Sequence, residues 1–123
     1  MDYKIHCFNG SPEFIQVIRR KDVGNGEQII MDPEWNALNW TFETYGKMSD
    51  IPERPVKLEE MMEDARILSK GIRYIRVDMY CDNENIYFGE MTFTPSGGFY
   101  PYKNSWTYEK DVELGRKIIK MEK

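Results

Sequence analysis

The sequence offers one histidine in 123 residues, His6, so no two-histidine zinc site can be assembled and a histidine-based triad would rest on His6 alone. A lone histidine on a strand beside Lys4 reads as a structural residue. Cysteine is almost as scarce. Cys7 and Cys81 stand in strand-like stretches without zinc spacing and read as reduced core residues of a cytosolic protein. Positive charge is not in excess: 17 Lys and Arg face 21 Asp and Glu, a net charge of −4. That balance excludes the basic face that nucleic acid or an anionic membrane surface would require. No apolar run approaches the ~20 residues of a membrane span, and Asp2 and Lys4 follow Met1 where a signal peptide would build its apolar core. The expectation is a cytoplasmic protein. What the chain does have is enough apolar content, 41%, for one core, so residues 1–123 are expected to form a single domain. Aromatic residues make up 14%, which suits either a binding cleft or a well-filled β core.

Tyr3, Ile5 and Cys7 alternate with Lys4, His6 and Phe8, and Asn9-Gly10 then gives a strong two-residue turn signal. Phe14–Ile18 is a second β-rich run, Gly24-Asn25-Gly26 a second turn and Gln28–Met31 a third strand. From Asp32 to Pro55 the periodicity disappears while Trp35, Trp40, Phe42 and Tyr45 accumulate. So long a stretch without pattern is expected to be functional or to lie against something. Lys57 to Lys70 has Leu58, Met61, Met62, Ala65 and Leu68 at helical spacing, with acidic residues early and Lys70-Gly71 at the end. Strands are expected at Arg73–Cys81 and Ile86–Thr94, and a second helix at about Tyr108 to Lys120. The fold class is therefore α+β: a mostly antiparallel sheet with two helices.

The last hairpin carries the chemistry. A three-residue loop, Asn83-Glu84-Asn85 with Asn85 left-handed, pairs Asp82 with Ile86 and hence Asp78 with Glu90. Arg76, Asp78, Glu90 and Thr92 then share one face. Ile75, Val77, Met79, Cys81, Tyr87, Met91 and Phe93 share the other, against the helix. Carboxylates directly opposite on a sheet have Cβ atoms ~5 Å apart. Like charges at ~4 Å repel by about 4 kcal/mol at an effective dielectric of 20. A shared proton, Arg76 or a divalent cation must offset this. Hard oxygen donors beside a threonine suit Mg²⁺ or Mn²⁺. From the residues alone, a metal site and a solvated ion-pair cluster around Arg76 both stay open.

Arg76-Val77-Asp78, followed by Glu90-Met91-Thr92-Phe93-Thr94-Pro95, resembles the C-terminal metal-binding signature of ATP-grasp enzymes. The pattern there is Arg-x-Asp on one strand, Glu-x-Asn on the next, then a Pro/Gly loop. The longer string from Tyr87 to Pro95, with Asp2-Tyr3-Lys4 and Cys7-Phe8-Asn9-Gly10 upstream, is similar to the TupA-like ATP-grasp family. That family is linked to teichuronopeptide and other cell-surface polysaccharide biosynthesis, and its members are often labelled glycosyltransferases. The resemblance covers Asp2 to about Lys117. It implies Mg²⁺ and ATP as cofactors, with Asp78 and Glu90 as metal ligands bridging the phosphates and Thr92 in the third ligand position, where Asn is usual. Arg76 is the implied catalytic residue, facing the transferred phosphoryl group. Lys4 and Arg19 lie on strands that flank the nucleotide cleft, and Lys4 is carried over as nucleotide-binding.

The implied activity is a Mg-ATP-dependent carboxylate–amine ligation on a carboxylate or sugar-linked substrate. The chain resembles only the C-terminal half of the ATP-grasp fold, so the N-terminal half or a partner chain is expected to complete the cleft, and the fragment alone is expected to be inactive. Two rival readings remain. One is metal-dependent glycosyl transfer using the same carboxylates. The other is a non-catalytic module whose exposed aromatics at 35–45 bind another chain.

Overall fold

The computed structural model describes residues 1–22, 25–42, 45–93 and 102–103. Its first unit is the expected meander. Strand β1 (Asp2–Phe8) turns into β2 (Ser11–Asp22), which pairs with β3 (Asn25–Met31). Asn9 and Gly10 form the first turn with φ of 57° and 74°, conformations that asparagine tolerates and glycine adopts freely. Asn25 and Gly26, expected in the second turn, belong to β3 instead and pair with Asp22 and Arg20. Residue 24, the first of that expected turn, lies outside the described residues.

Two short strands follow, β4 (Thr41–Phe42) and β5 (Gly46–Lys47), then helix α1 (Leu58–Ser69). Strands β6 (Tyr74–Cys81) and β7 (Ile86–Thr92) make the last hairpin, and β8 (Tyr102–Lys103) pairs with β4. The main sheet has the order β5-β3-β2-β1-β6-β7. It is mixed and not purely antiparallel, since β5 runs parallel to β3. Among the described residues there is one helix. The second, expected at about 108–120, lies outside them.

Helix α1 matches its pattern. Leu58, Met61, Met62 and Ala65 are buried against Ile5, Val17, Val77 and Met79 on one sheet face, and Glu59 and Glu60 sit in the first turn where the helix dipole favours negative charge. No described helix is long and apolar enough to cross a membrane.

The unpatterned 32–55 stretch wraps the β3 edge and covers both faces. Asp32 Oδ1 accepts from the Glu34 and Asn36 amides at 2.9 and 2.8 Å, building a tight turn in which Trp35 takes φ 70°. The Trp35 indole N–H then donates to the Pro52 carbonyl at 2.9 Å and packs on the helix-side core. Trp40 and Phe42 go to the opposite face, where they bury Phe8, Phe14 and Ile30. The expectation of exposed aromatics is therefore corrected for Trp40 and Phe42, which are core residues of this chain.

The hairpin loop is also corrected. Cys81 pairs with Ile86 across four residues, and no described residue of that loop has positive φ. Asp82 makes the turn instead, its Oδ1 accepting from the amides of Glu84 at 2.8 Å and Asn85 at 2.7 Å. Those two bonds, Asn85's first, hold its carboxyl below the usual range. A bulge then leaves Gly89 unpaired between Phe88, opposite Met79, and Glu90, opposite Asp78. A Cβ on Gly89 would stand 3.2 Å from the Asp78 carbonyl oxygen, which is why this position suits glycine. The bulge reverses the parity of the strand before it. Ile86 and Phe88 face the helix, while Tyr87 stacks on Tyr80 across the opposite face with centroids 6.0 Å apart.

Candidate functional site

The described residues cover the second sheet face only in part. Trp40 and Phe42 close its β3 side, and toward β7 it opens into a depression of about 210 Å³ lined by Asp2, Lys4, Asp78, Tyr80, Gly89 and Glu90. Asp78 lies at its centre, directly opposite Lys4 on β1 and Glu90 on β7. Arg76, two residues before Asp78 on β6, stands opposite Thr92.

The carboxylate of Asp78 is held from two sides. Arg76 donates to it bidentately, Nε to Oδ1 at 2.8 Å and Nη2 to Oδ2 at 3.0 Å, and Lys4 Nζ reaches Oδ2 at 2.8 Å. Arg76 Nη2 also donates to Thr92 Oγ1 at 3.3 Å and lies 3.6 Å from Glu90 Oε1. Asp78, Lys4 and Arg76 have side chains only 10–15% exposed, whereas that of Glu90 is 67% exposed. Of the offsets open in the sequence, the structure thus shows Arg76 between the two carboxylates.

All four expected hairpin residues come together, and Lys4 joins them. Arg19 does not. It lies on the other face, bridging Glu27 at 2.8 Å and Asp50 at 3.1 Å. Sequence reasoning missed the direct Lys4–Asp78 pairing, because the β1–β6 register depends on a crossover that alternation within each strand cannot reveal.

Among the described residues no group of three or more His, Cys, Asp or Glu side chains could hold a metal ion. The chain offers two carboxylates, and the hydroxyl of Thr92 already accepts from Arg76. This donor set nonetheless fits Mg²⁺, which takes one or two carboxylates and completes its shell with water and phosphate oxygens. Neither cysteine is poised as a nucleophile. Both are free thiols, and burial pushes Cys7 up to about 11 and also raises Cys81.

Beside the depression a buried polar chain crosses the sheet. Gln28 Nε2 donates to the Phe42 carbonyl at 2.6 Å, and Gln16 Nε2 donates to Gln28 Oε1 at 2.8 Å. Gln16 Oε1 is then the acceptor for His6 Nε2–H at 3.3 Å, and His6 Nδ1 accepts from the Tyr74 hydroxyl at 2.8 Å. Burial, more than the charges of Arg76 and Lys4, pushes the imidazole down to about 3 against the opposing bond from Gln16. Below the ordinary value near 6.5 the unfolded chain therefore takes up a proton that the folded chain refuses. Stability should fall as pH drops from ~6.5 toward ~3, by about 2 kcal/mol at pH 5 from this group. Urea titrations at pH 7.5 and 5 on wild type and His6→Gln will check this, the variant showing the smaller acid loss. Equal losses would mean that His6 is not held neutral.

Among the described residues, one sheet face thus presents a carboxylate pair, its arginine and a lysine around a shallow depression. A family model described as TupA-like ATPgrasp matches residues 1–119, and the chain belongs to that family. No match was found among curated proteins or among solved structures.

Proposed function

We propose that this chain is the cation- and phosphate-handling half of an ATP-dependent carboxylate–amine ligase acting in cell-surface polysaccharide biosynthesis. The observation that carries the reading is the convergence of Arg76, Asp78 and Glu90 on one open face in a member of the family. In that reaction a substrate carboxylate oxygen attacks the γ-phosphorus, ADP leaves, and an amine then displaces phosphate from the acyl-phosphate. Asp78 and Glu90 would hold Mg²⁺, which when bound supplies charge neutralisation for the phosphate oxygens. Arg76, with its planar fork of donors, orients the phosphoryl group and binds the charge that develops on it. Thr92 positions Arg76 by accepting its Nη2–H.

The depression of about 210 Å³ formed by the described residues is smaller than the roughly 300–1,000 Å³ that usually encloses a small molecule, which supports a second wall beyond them. Mg-ATP should accordingly bind the 123-residue chain with millimolar affinity or weaker, roughly −4 kcal/mol, and without turnover. Calorimetry and phosphate-release assays test this. Asp78→Asn and Glu90→Gln should each weaken the Mg²⁺-dependent part of binding by about tenfold. Micromolar binding with turnover would show a complete site, and binding indifferent to Mg²⁺ would mean that the two carboxylates hold no metal. Heat protection by a nucleotide-sugar and not by ATP would move the chemistry to glycosyl transfer.

A further inference from the structure

Asp78 and Glu90 do not wait as bare carboxylates. Two negative groups are matched by two positive ones, Lys4 at 2.8 Å and Arg76 bidentate at 2.8 and 3.0 Å, in a place where all but Glu90 are largely shielded from water. Every oxygen of Asp78 is engaged by a cation. We propose that Lys4 and Arg76 are internal counter-cations standing in the place of the metal, so that a divalent cation binds tightly only as both turn from Asp78 to a polyphosphate. This rests on the reading of Asp78 and Glu90 as cation carboxylates.

The charge count drives the coupling. The closed cluster is neutral, and a divalent cation alone would leave it with two uncompensated positive charges in a partly dehydrated site. It would also strip Lys4 and Arg76 of their partner. A polyphosphate arriving with the cation offsets those positive charges and gives both displaced side chains a new acceptor. Cation and polyphosphate therefore each bind poorly alone and better together. Lys4 is the element that makes the difference, since it sits on a separate strand and contacts Asp78 without contributing to the hairpin.

The consequence is a change of sign. Removing the Lys4 charge should tighten binding of Mn²⁺ alone by about tenfold, within the range usual for coupled sites, and yet weaken Mg-ATP. Free Mn²⁺ is followed by its paramagnetic resonance signal in titrations of wild type, Lys4→Gln, Lys4→Arg, Arg20→Gln and Glu90→Gln, and Mg-ATP by calorimetry. Lys4→Arg should stay within twofold of wild type. Arg20→Gln, which deletes a positive charge at the rim without freeing Asp78, should do the same. If wild type binds Mn²⁺, Glu90→Gln weakens it and Lys4→Gln fails to strengthen it, the counter-cation role is overturned while the metal site stands. If Glu90→Gln changes nothing, or no protein binds Mn²⁺, the metal site itself is wrong and this inference falls with it. Should Lys4→Gln not fold, the wild type still decides: the ¹⁵N signal of Arg76 Nε–H must shift with Mg²⁺ and ATP together and hold with Mg²⁺ alone, and a signal unmoved by the pair overturns the exchange.

Discussion

Asp78→Asn is expected to destabilise the metal-free protein by about 3 kcal/mol, whereas Glu90→Gln should leave it within about 0.5 kcal/mol. The two carboxylates face each other across one pair of strands, but their surroundings differ. Asp78 is 7% exposed and satisfies three N–H donors from Arg76 and Lys4. An asparagine there would lose the charge and turn an N–H toward one of the two cations. Glu90 is open to water, and its nearest cation is 3.6 Å away. Its loss also relieves repulsion on Asp78, so two small effects offset each other. Urea unfolding of both variants without metal tests the asymmetry. Equal and large losses would mean that Glu90 shares the structural ion pair. Equal and small losses would mean that water screens the Asp78 contacts too well for them to matter.

The same asymmetry separates two roles that the sequence left joined. Asp78 has to be held whether or not ligand is present, and its strand lies between β1 and β7. Glu90 is on the edge strand, next to a bulge, where a side chain can move without disturbing the sheet. A site that must exchange Arg76 and Lys4 for other partners therefore has one fixed carboxylate and one mobile one.

The Asp78–Glu90 pairing was legible in the sequence, but partly for the wrong reason. The three-residue loop and straight ladder expected from alternation give the same pair as the four-residue loop plus Gly89 bulge that exists. The two differences cancel beyond Gly89 and not before it, so Glu90 and Thr92 face as expected while Ile86, Tyr87 and Phe88 are reversed. One inserted residue carries no periodicity signal, and the mark it left was Gly89 itself, since a glycine inside a strand often signals a bulge. The meander, helix α1 and the site hairpin were readable because each has its own period and turn residues. The 32–55 stretch was not, because its structure comes from contacts with both sheet faces and from strand pairs only two residues long. His6 was legible as structural by elimination. Its chain through Gln16 and Gln28 needed the β1–β2–β3 register, which places three polar residues on one diagonal across the strands, under an aromatic cover.

That cover is the basis of the largest stability effect expected. Phe42→Ala should cost about 4 kcal/mol, in the range for truncating a fully buried phenylalanine. Its ring meets Trp40 edge-on at 5.4 Å and lies 5.8 Å from the imidazole of His6, so the cavity would open between two large rings that cannot collapse into it. The backbone carbonyl that ends the Gln28–Gln16–His6 chain stays in place, so the loss comes from the side chain. A second readout follows from the physics of burial. With Phe42 gone, water reaches His6, its pKa rises from about 3 toward its ordinary value, and the acid loss of stability should shrink. Chemical unfolding at pH 7.5 and pH 5 measures both quantities in one series. Were the 35–45 aromatics a docking surface for another chain, Phe42→Ala would leave both stability and its pH dependence at wild-type values. A large loss with the acid dependence unchanged would instead mean that His6 is shielded by Phe14, stacked on it at 4.4 Å, and that Phe42 serves the core alone.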